Sequence, residues 1–240
     1  MMRFHPSSLG LIMSDAQSID PAVLPPELLP VAAKARKTDA DKELLAPYKD
    51  ASLSAGAKTF LKSLAKQYVY SFNKVVKTKY MDKGIACEDE AIELINSVRF
   101  KSYVKNSERR SDEILTGECD IYVPGVKTID TKVSWDWDTF PALSEDCHDT
   151  LYEWQGRAYM RLWDVPEHEV VFVMLDTPED LIRYEQRELH VVSHIDPALR
   201  LTSITYRRDP ALEEKMVNKC KAAQEYLKKI AAAIAEEHQG

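Results

Sequence analysis

The segment from Glu169 to Asp176, Glu-Val-Val-Phe-Val-Met-Leu-Asp, constrains the fold more than any other stretch of this chain. An unbroken apolar run bounded by acids is typical of a strand buried on both faces, inside a sheet that is covered on either side. A helical pattern precedes it over about residues 146–163, and a long amphipathic helix is predicted from Pro210 onward. The order helix, strand pair, helix, strand, helix therefore predicts an α/β protein.

Composition excludes several classes of protein. Of the 240 residues, 45% are hydrophobic and 30% are charged, which excludes a disordered or fibrous chain. No apolar run approaches the roughly 18 residues that a bilayer-spanning helix needs, and we expect no secretory signal. The four widely spaced cysteines predict free thiols in a reducing cytoplasm. The net charge of −7 argues against non-specific coating of nucleic acid, but it permits positive charge confined to one surface.

The N-terminal part of the chain is the least regular. Residues 7–13 are typical of a short helix capped by a serine. Prolines at positions 21, 25, 26 and 30 then predict an extended connection, because proline and the residue before it both resist helix formation.

The helix predicted over residues 52–79 is positively charged, although the protein as a whole has a net negative charge. Lys58, Lys62 and Lys66 recur every four residues on one face, and the stretch contains no acidic residue. A solvated helix face explains this pattern, and so does a surface that binds phosphates by releasing counterions. Both interpretations stay open.

A second helix is predicted over residues 84–98, with an acid on its apolar stripe. Ile85, Ile92 and Ile95 share one face, and Glu88 falls on the same face. Burying a carboxylate without a partner is costly, so Glu88 needs a metal ion or a salt bridge unless it lies at the solvent edge of the stripe.

Two strands predicted around Pro124-Gly125 carry two more acids. Asp130 and Lys132 project side by side from the second strand, because side chains alternate between its faces. Asp120 on the first strand reaches that face only if the connecting loop has an odd number of residues. We predict the loop Val123-Pro124-Gly125, which places position 120 opposite 128 and diagonal to Asp130.

Three acids in one place require a compensating charge. Two carboxylates about 4 Å apart repel by about 4 kcal/mol at an effective dielectric of about 20. Glu88, Asp120 and Asp130 therefore converge only around a cation, or with one acid protonated. Oxygen ligands of this kind favour Mg²⁺ or Mn²⁺, and a neighbouring lysine could hold an attacking water or stabilise a phosphate. These are the parts needed for metal-assisted phosphodiester hydrolysis.

Taken in order, these motifs resemble the PD-(D/E)XK nuclease superfamily. They are Gly84-x-x-x-Glu88, Gly117-Glu-Cys-Asp120, Ile129-Asp-Thr-Lys132 and, four apart on the next helix, Gln155-x-x-x-Tyr159. The chain is most similar to phage and prophage recombination exonucleases of the YqaJ or lambda-exonuclease type, over residues 3–13 and 52–182. It departs from the common motif in having Glu-Cys-Asp in place of Pro-Asp, which keeps the coordinating acid.

The resemblance implies a restriction-endonuclease-like α/β core with a mixed central sheet flanked by helices, an irregular N-terminal segment and a long C-terminal helix. It implies one nuclease domain over residues 1–240, divided into an N-terminal extension (1–51), a core (52–182) and C-terminal strands and helix (183–240).

The resemblance also implies a catalytic site. One or two Mg²⁺ or Mn²⁺ ions would be bound by Glu88, Asp120, Asp130 and the main-chain carbonyl of Thr131. Lys132 would assist the nucleophilic water and Gln155 would support the site. We expect no iron–sulfur cluster, because Cys220 is the lone cysteine near the C-terminus.

Candidate substrate contacts come from the resemblance and from exposed residue types. In similar nucleases an arginine and a serine near the N-terminus hold a 5′ phosphate, and ring-shaped trimers enclose DNA with their basic residues. The two tryptophans after Lys132 either stack on bases or pack over the core, and both interpretations stay open. The candidates are Arg3, Ser7, Ser8, Lys58, Lys62, Lys66, Trp135, Trp137 and Tyr159.

The function implied is a Mg²⁺-dependent 5′–3′ exonuclease that acts on the ends of linear double-stranded DNA in phage-type recombination. It would act in the cytoplasm as a homotrimer, with a single-strand annealing protein as partner. Exonuclease rather than endonuclease rests on the resemblance alone. The alternatives are a RecB-like repair or restriction nuclease for structured or single-stranded DNA, and a non-catalytic DNA-binding module of the same fold.

Overall fold

A computed structural model describes residues 2–238 of the chain. The helices are α1 (Leu9–Met13), α2 (Leu29–Ala32), α3 (Asp39–Ala51), α4 (Ala55–Val69), α5 (Lys79–Ala86), α6 (Glu88–Arg99), α7 (Thr150–Trp163), α8 (Glu179–Ile182) and α9 (Pro210–Glu237). The strands are β1 (Arg110–Ser111), β2 (Thr116–Gly117), β3 (Ile121–Val123), β4 (Lys127–Val133), β5 (Glu167–Val173) and β6 (Leu201–Arg207).

The chain divides into two compact units. Residues 2–74, 112–115 and 209–238 form the helical unit, and residues 75–111 and 116–208 form the sheet unit. The expected division of one nuclease domain at residues 51 and 182 stays a prediction. Among the described residues, no helix is long and apolar enough to cross a bilayer.

In the helical unit, α4 packs along α9, α1 contacts both of these helices, and α3 contacts α9. Lys219 of α9 is buried, and its ammonium donates to the main-chain carbonyls of Met13 at 3.3 Å and Ser14 at 2.8 Å. These carbonyls lie at the end of α1, where helical partners run out. The lysine therefore ties the N-terminal segment to the C-terminal helix.

The proline-rich stretch is more helical than predicted. Pro21 and Pro26 begin short 3₁₀ helices, and Pro30 lies in the first turn of α2. A missing N–H has little cost in a first turn, so these prolines start helices instead of preventing them. The prediction of an extended connection is therefore wrong for much of this stretch.

The positively charged helix is shorter than predicted. Helix α4 begins after Ser54, whose side chain accepts from the amide of Ala57, and it ends at Val69. Ser71 then takes a left-handed φ of 50°, which ends the helix, and residues 72–78 have no regular structure. The helix predicted to reach residue 79 is wrong beyond Val69.

The sheet unit contains a four-stranded sheet in the order β3-β4-β5-β6. Strands β4 and β5 are parallel and joined through α7, whereas β3 and β6 run antiparallel to their neighbours. Helix α6 covers one face through Ile92 and Ile95, and α7 covers the other through Met160 and Trp163. The predicted mixed sheet flanked by helices is confirmed, and the apolar run that predicted it is the inner strand β5.

The helix predicted over residues 84–98 is broken at Cys87, which separates α5 from α6. Because of the break, Ile85 is 73% exposed, whereas Ile92 and Ile95 are buried. The prediction that Ile85 lies on the same apolar face as Ile92 and Ile95 is therefore wrong. Glu88 becomes the first residue of α6, where the helix dipole favours a negative charge.

The hairpin loop has an odd number of residues, as predicted, but its register differs by two. Val123 pairs with Lys127, so the loop is Pro124-Gly125-Val126, and Gly125 supplies a φ of 68°. Extending this register places Asp120 directly opposite Asp130, which corrects the predicted diagonal arrangement. The two acids are therefore closer neighbours than the sequence suggested.

Candidate active site

Seven of the predicted site residues line one cleft of about 450 Å³ in the sheet unit. Its floor is the β3–β4 hairpin, and α5, the start of α6 and α7 form its walls. The seven are Glu88, Asp120, Asp130, Thr131, Lys132, Gln155 and Tyr159.

The two aspartates share the floor of the cleft. Asp120 Oδ2 accepts from the Thr131 amide at 2.6 Å and from its hydroxyl at 2.8 Å. Asp130 is buried at 3% exposure. Burial and then the negative charge of Asp130 raise the pKa of Asp120 to about 7. A buried aspartate beside a second aspartate whose pKa is raised indicates a site that binds a positively charged group.

Lys132 supplies one positive charge. It forms an ion pair with Asp130, and apart from that contact Asp130 Oδ2 has no hydrogen-bond partner in residues 2–238. Burial acts to lower the pKa of Lys132, but the charge and hydrogen bond of Asp130 raise it overall. Lys132 is therefore a cation at neutral pH.

Helix α7 positions Lys132 from behind. Gln155 Oε1 lies 3.4 Å from Lys132 Nζ, and Gln155 Nε2 lies 3.4 Å from the hydroxyl of Tyr159. That hydroxyl donates to the carbonyl of Glu118 at 2.9 Å. The predicted spacing of Gln155 and Tyr159 thus makes one chain of polar contacts from Glu118, two residues before Asp120, to the lysine.

Glu88 has a partner that sequence reasoning missed. Its Oε2 lies 3.0 Å from Lys105 Nζ, and the same ammonium is 3.2 Å from Asp89. The Glu88 side chain is 26% exposed, so it lies at the edge of the buried surface. Nothing in the local pattern marks Lys105, because it lies outside any helix or named strand and meets α6 only in the fold.

Glu88 does not yet join the aspartates. In residues 2–238, no group that includes Glu88, Asp120 and Asp130 has ligand atoms mutually within 4.8 Å. At the rim of the cleft, Lys105 compensates the charge of Glu88 instead. A metal ion still fits the aspartates, since the buried Asp130 Oδ2 has no partner other than Lys132 among the described residues and the pKa of the neighbouring Asp120 is raised.

The two tryptophans have different environments. Trp135 is 5% exposed, its ring makes edge contacts with Tyr80 and His190, and its Nε1 donates to Glu185 at 2.7 Å. A base cannot stack on a ring enclosed in this way, so Trp135 as a base-stacking residue is wrong. Trp137 is 56% exposed.

The remaining candidates lie in the helical unit. Arg3 is exposed, and its Nε donates to the carbonyl of Asp112 at 2.6 Å. Ser8 does not cap α1 through its side chain, because its hydroxyl donates to the carbonyl of His5 at 2.9 Å. Ser7 is exposed.

The lysines of α4 are not equivalent. Lys58 pairs with Asp20 at 2.6 Å, so an acid from the proline-rich stretch compensates its charge. Lys62 and Lys66 are exposed. Of the three lysines predicted on this face of α4, two are therefore exposed and one is in an ion pair.

Three solved structures are similar to this chain. A phage-related exonuclease from Haemophilus somnus 129PT is 30% identical, with a TM-score of 0.79 over 97% of this chain and 96% of the other. The alkaline exonuclease LHK-Exo from Laribacter hongkongensis is 10% identical, with a TM-score of 0.62 over 98% and 92%. Its complex with dAMP is 12% identical, with a TM-score of 0.56 over 77% and 86%. No family model and no curated protein matches the sequence.

Proposed function

The chain belongs to the phage-related exonucleases of the PD-(D/E)XK superfamily, and from this we propose a Mg²⁺-dependent 5′–3′ exonuclease acting on linear double-stranded DNA. The observation that carries the proposal is the meeting of Asp120, Asp130 and Lys132 in one cleft, with Gln155 behind the lysine. Membership in this family already makes the chain a nuclease.

Asp120 and Asp130 would hold the ion, joined by the Thr131 carbonyl and by Glu88 once that side chain leaves Lys105. When bound, Mg²⁺ or Mn²⁺ activates a water molecule and stabilises negative charge on the phosphate. The ion also compensates the repulsion between the two acids.

Lys132 acts as a hydrogen-bond donor, because its pKa is raised and it stays protonated. Its ammonium holds the attacking water or a phosphate oxygen, and Gln155 keeps the ammonium directed into the cleft. Lys105, which pairs with Glu88 at the rim of the cleft, would be available to contact the DNA backbone if Glu88 held the ion instead.

DNA would approach with its 5′ phosphate held by Arg3, Ser7 and Ser8. Lys62, Lys66 and Trp137 are the exposed candidates for further contacts. The ring-shaped trimer, the single-strand annealing partner, the recombination role and the cytoplasmic location stay predictions from the family resemblance.

A DNA digestion assay tests the proposal. The protein is incubated with a 5′-phosphorylated linear duplex or a closed circle, in Mg²⁺, in Mn²⁺ or in chelator. We expect loss of the linear DNA only, with release of mononucleotides. Lys132→Met should lower the rate at least about a hundredfold, by loss of charge stabilisation in the transition state. Lys101→Met, an exposed lysine outside the cleft, is the matched control.

Three outcomes contradict the proposal in different ways. Cutting of the circle indicates an endonuclease of the RecB-like or restriction type. No metal-dependent loss of either DNA indicates a binding module. Equal rates for Lys132→Met and Lys101→Met would remove Lys132 from the catalytic machinery.

A further inference from the structure

A second cluster of ligand side chains lies beyond the end of β4. Asp136, Glu185 and His190 each offer one ligand atom, and these atoms lie within 4.8 Å of one another. Asp136 follows Trp135, and the other two residues belong to the segment between α8 and β6. None of the three lines the catalytic cleft.

The hydrogen bonds of His190 determine which nitrogen carries its proton. The Thr177 hydroxyl donates to the carbonyl of Trp135 at 2.9 Å, so its oxygen accepts from His190 Nδ1 at 3.1 Å. The neutral ring then has a lone pair on Nε2. His190 is 1% exposed, and Nε2 has no hydrogen-bond partner among the described residues.

This lone pair faces a carboxylate. Glu185 Oε2 lies 3.4 Å from His190 Nε2, a contact that is an ion pair only if the ring takes up a second proton. Two ligands about 2.0–2.1 Å from a tetrahedral Zn²⁺ ion lie about 3.3 Å apart. The separation is therefore long for a hydrogen bond between these atoms, but it matches two ligands of one metal ion.

The surroundings orient the other two ligands. Trp135 Nε1 donates to Glu185 Oε2 at 2.7 Å, which directs that carboxylate toward the histidine. Asp136 is half-buried and uses Oδ1 to accept from the Thr139 amide at 2.9 Å. Hydrogen bonds behind metal ligands commonly fix them in this way.

Lys79 is the internal competitor for this site. Its ammonium forms an ion pair with Glu185 Oε1 and lies 4.3 Å from the centre of the Trp135 ring. A divalent ion beside Glu185 would repel this ammonium. The Lys79 side chain is 32% exposed, so it can turn to solvent.

We propose that Asp136, Glu185 and His190 bind a Zn²⁺ ion, with water as the fourth ligand. One imidazole with two carboxylates in a tetrahedral arrangement suits zinc better than Mg²⁺, which requires octahedral oxygen ligands. The ion connects the end of β4 to the segment before β6. It thereby supports Trp135, against which the cleft residue Tyr80 packs with ring centres 5.3 Å apart.

Metal binding is measured with the catalytic cleft disabled. In the Asp120→Asn, Asp130→Asn background, Co²⁺ is titrated while the visible absorption of a four-coordinate complex is followed, and Zn²⁺ is then used to displace it. We expect one ion per chain. His190→Gln and Glu185→Gln should each weaken binding at least about tenfold, and Zn²⁺ should raise Tm in the background but not in Glu185→Gln.

Two further variants sharpen the test. His194→Gln changes an exposed histidine of the same segment and should bind Co²⁺ like the background. Lys79→Met removes the competing ammonium and should bind more tightly. The proposal is overturned if the background shows no four-coordinate Co²⁺ complex, or if Glu185→Gln binds like His194→Gln. Because Glu185 lies at the surface, this conclusion holds even if His190→Gln does not fold.

Discussion

Lys83 and Lys219 are buried and Lys132 is half-buried, and these lysines have two kinds of partner. The difference bears on function. Lys83 Nζ donates to the carbonyls of Trp135 at 2.9 Å and Leu175 at 2.8 Å, and burial lowers its pKa to about 8. Lys219 is likewise bound by carbonyls. Lys132 instead faces the carboxylate of Asp130, which holds its charge in place. Of these three, Lys132 is the one suited to donate to a substrate.

His168 gives the fold a dependence on pH. Its Nδ1 lies 2.9 Å from the Thr128 hydroxyl, and burial lowers its pKa from 6.5 to about 4. The histidine is therefore neutral when folded, while the unfolded chain takes up a proton below pH about 6.5. The free energy of unfolding is therefore highest above pH about 6.5 as far as His168 is concerned, and it falls as the pH is lowered toward about 4.

We predict that the wild-type protein loses about 2 kcal/mol more of its free energy of unfolding between pH 7 and pH 5 than His168→Gln does. Urea unfolding of both proteins in chelator, at the two pH values, measures this difference. Equal losses in the two proteins would assign the acid sensitivity to other groups.

At the scale of elements, α7 approaches β5 closely at a single glycine. A Cβ built on Gly156 would lie 2.2 Å from Cδ2 of the buried His168 ring. The absence of a side chain at Gly156 thus allows the short distance between α7 and β5. Gln155 directly precedes this glycine, so the same contact sets the position of the polar chain behind Lys132.

Gly156→Ala should lower the free energy of unfolding by about 1–3 kcal/mol, as expected for overpacking, and should also lower the nuclease rate. The matched control is Gly84→Ala in α5, where a Cβ meets nothing within 4 Å. Removing a helical glycine there should leave stability unchanged or raise it by up to about 1 kcal/mol. Thermal unfolding of the two variants measures the contrast, and similar destabilisation of both would contradict the packing argument.

At the scale of the whole molecule, a net charge of −7 has to be reconciled with a DNA substrate. Lys62 and Lys66 are exposed on α4, whereas Lys58 pairs with Asp20. A protein of this kind binds DNA through local positive charge, and each phosphate contact contributes about 0.9 to the salt dependence of binding. The candidate contact surface is therefore narrower than the run of lysines suggests.

Replacing Lys62 and Lys66 together by serine should weaken duplex binding and lower the slope of log K against log salt by about 2. Fluorescence anisotropy of a 5′-phosphorylated duplex in chelator, at several salt concentrations, measures both. Lys221→Ser, an exposed lysine on α9, should change neither. An unchanged slope in the double variant would favour the solvated-face interpretation of α4.

The sequence by itself determined the class of fold and the order of the catalytic candidates. Alternation along β4 placed Asp130 and Lys132 on one face, helical spacing placed Gln155 beside Tyr159, and the apolar run identified β5. These are local periodicities, with repeats of 2 and about 3.6 residues, and they can be recognised in a short stretch of sequence by itself. Their roles in catalysis stay predictions.

Tertiary structure alone decided which distant side chains meet. The break at Cys87, the pairing of Glu88 with Lys105 and the enclosure of Trp135 depend on packing between elements. The approach of Asp136 to Glu185 and His190 joins residues about fifty positions apart, in segments with no periodic pattern. Packing and charge compensation bring such groups together, and neither produces a recognisable pattern among residues that are close in the sequence.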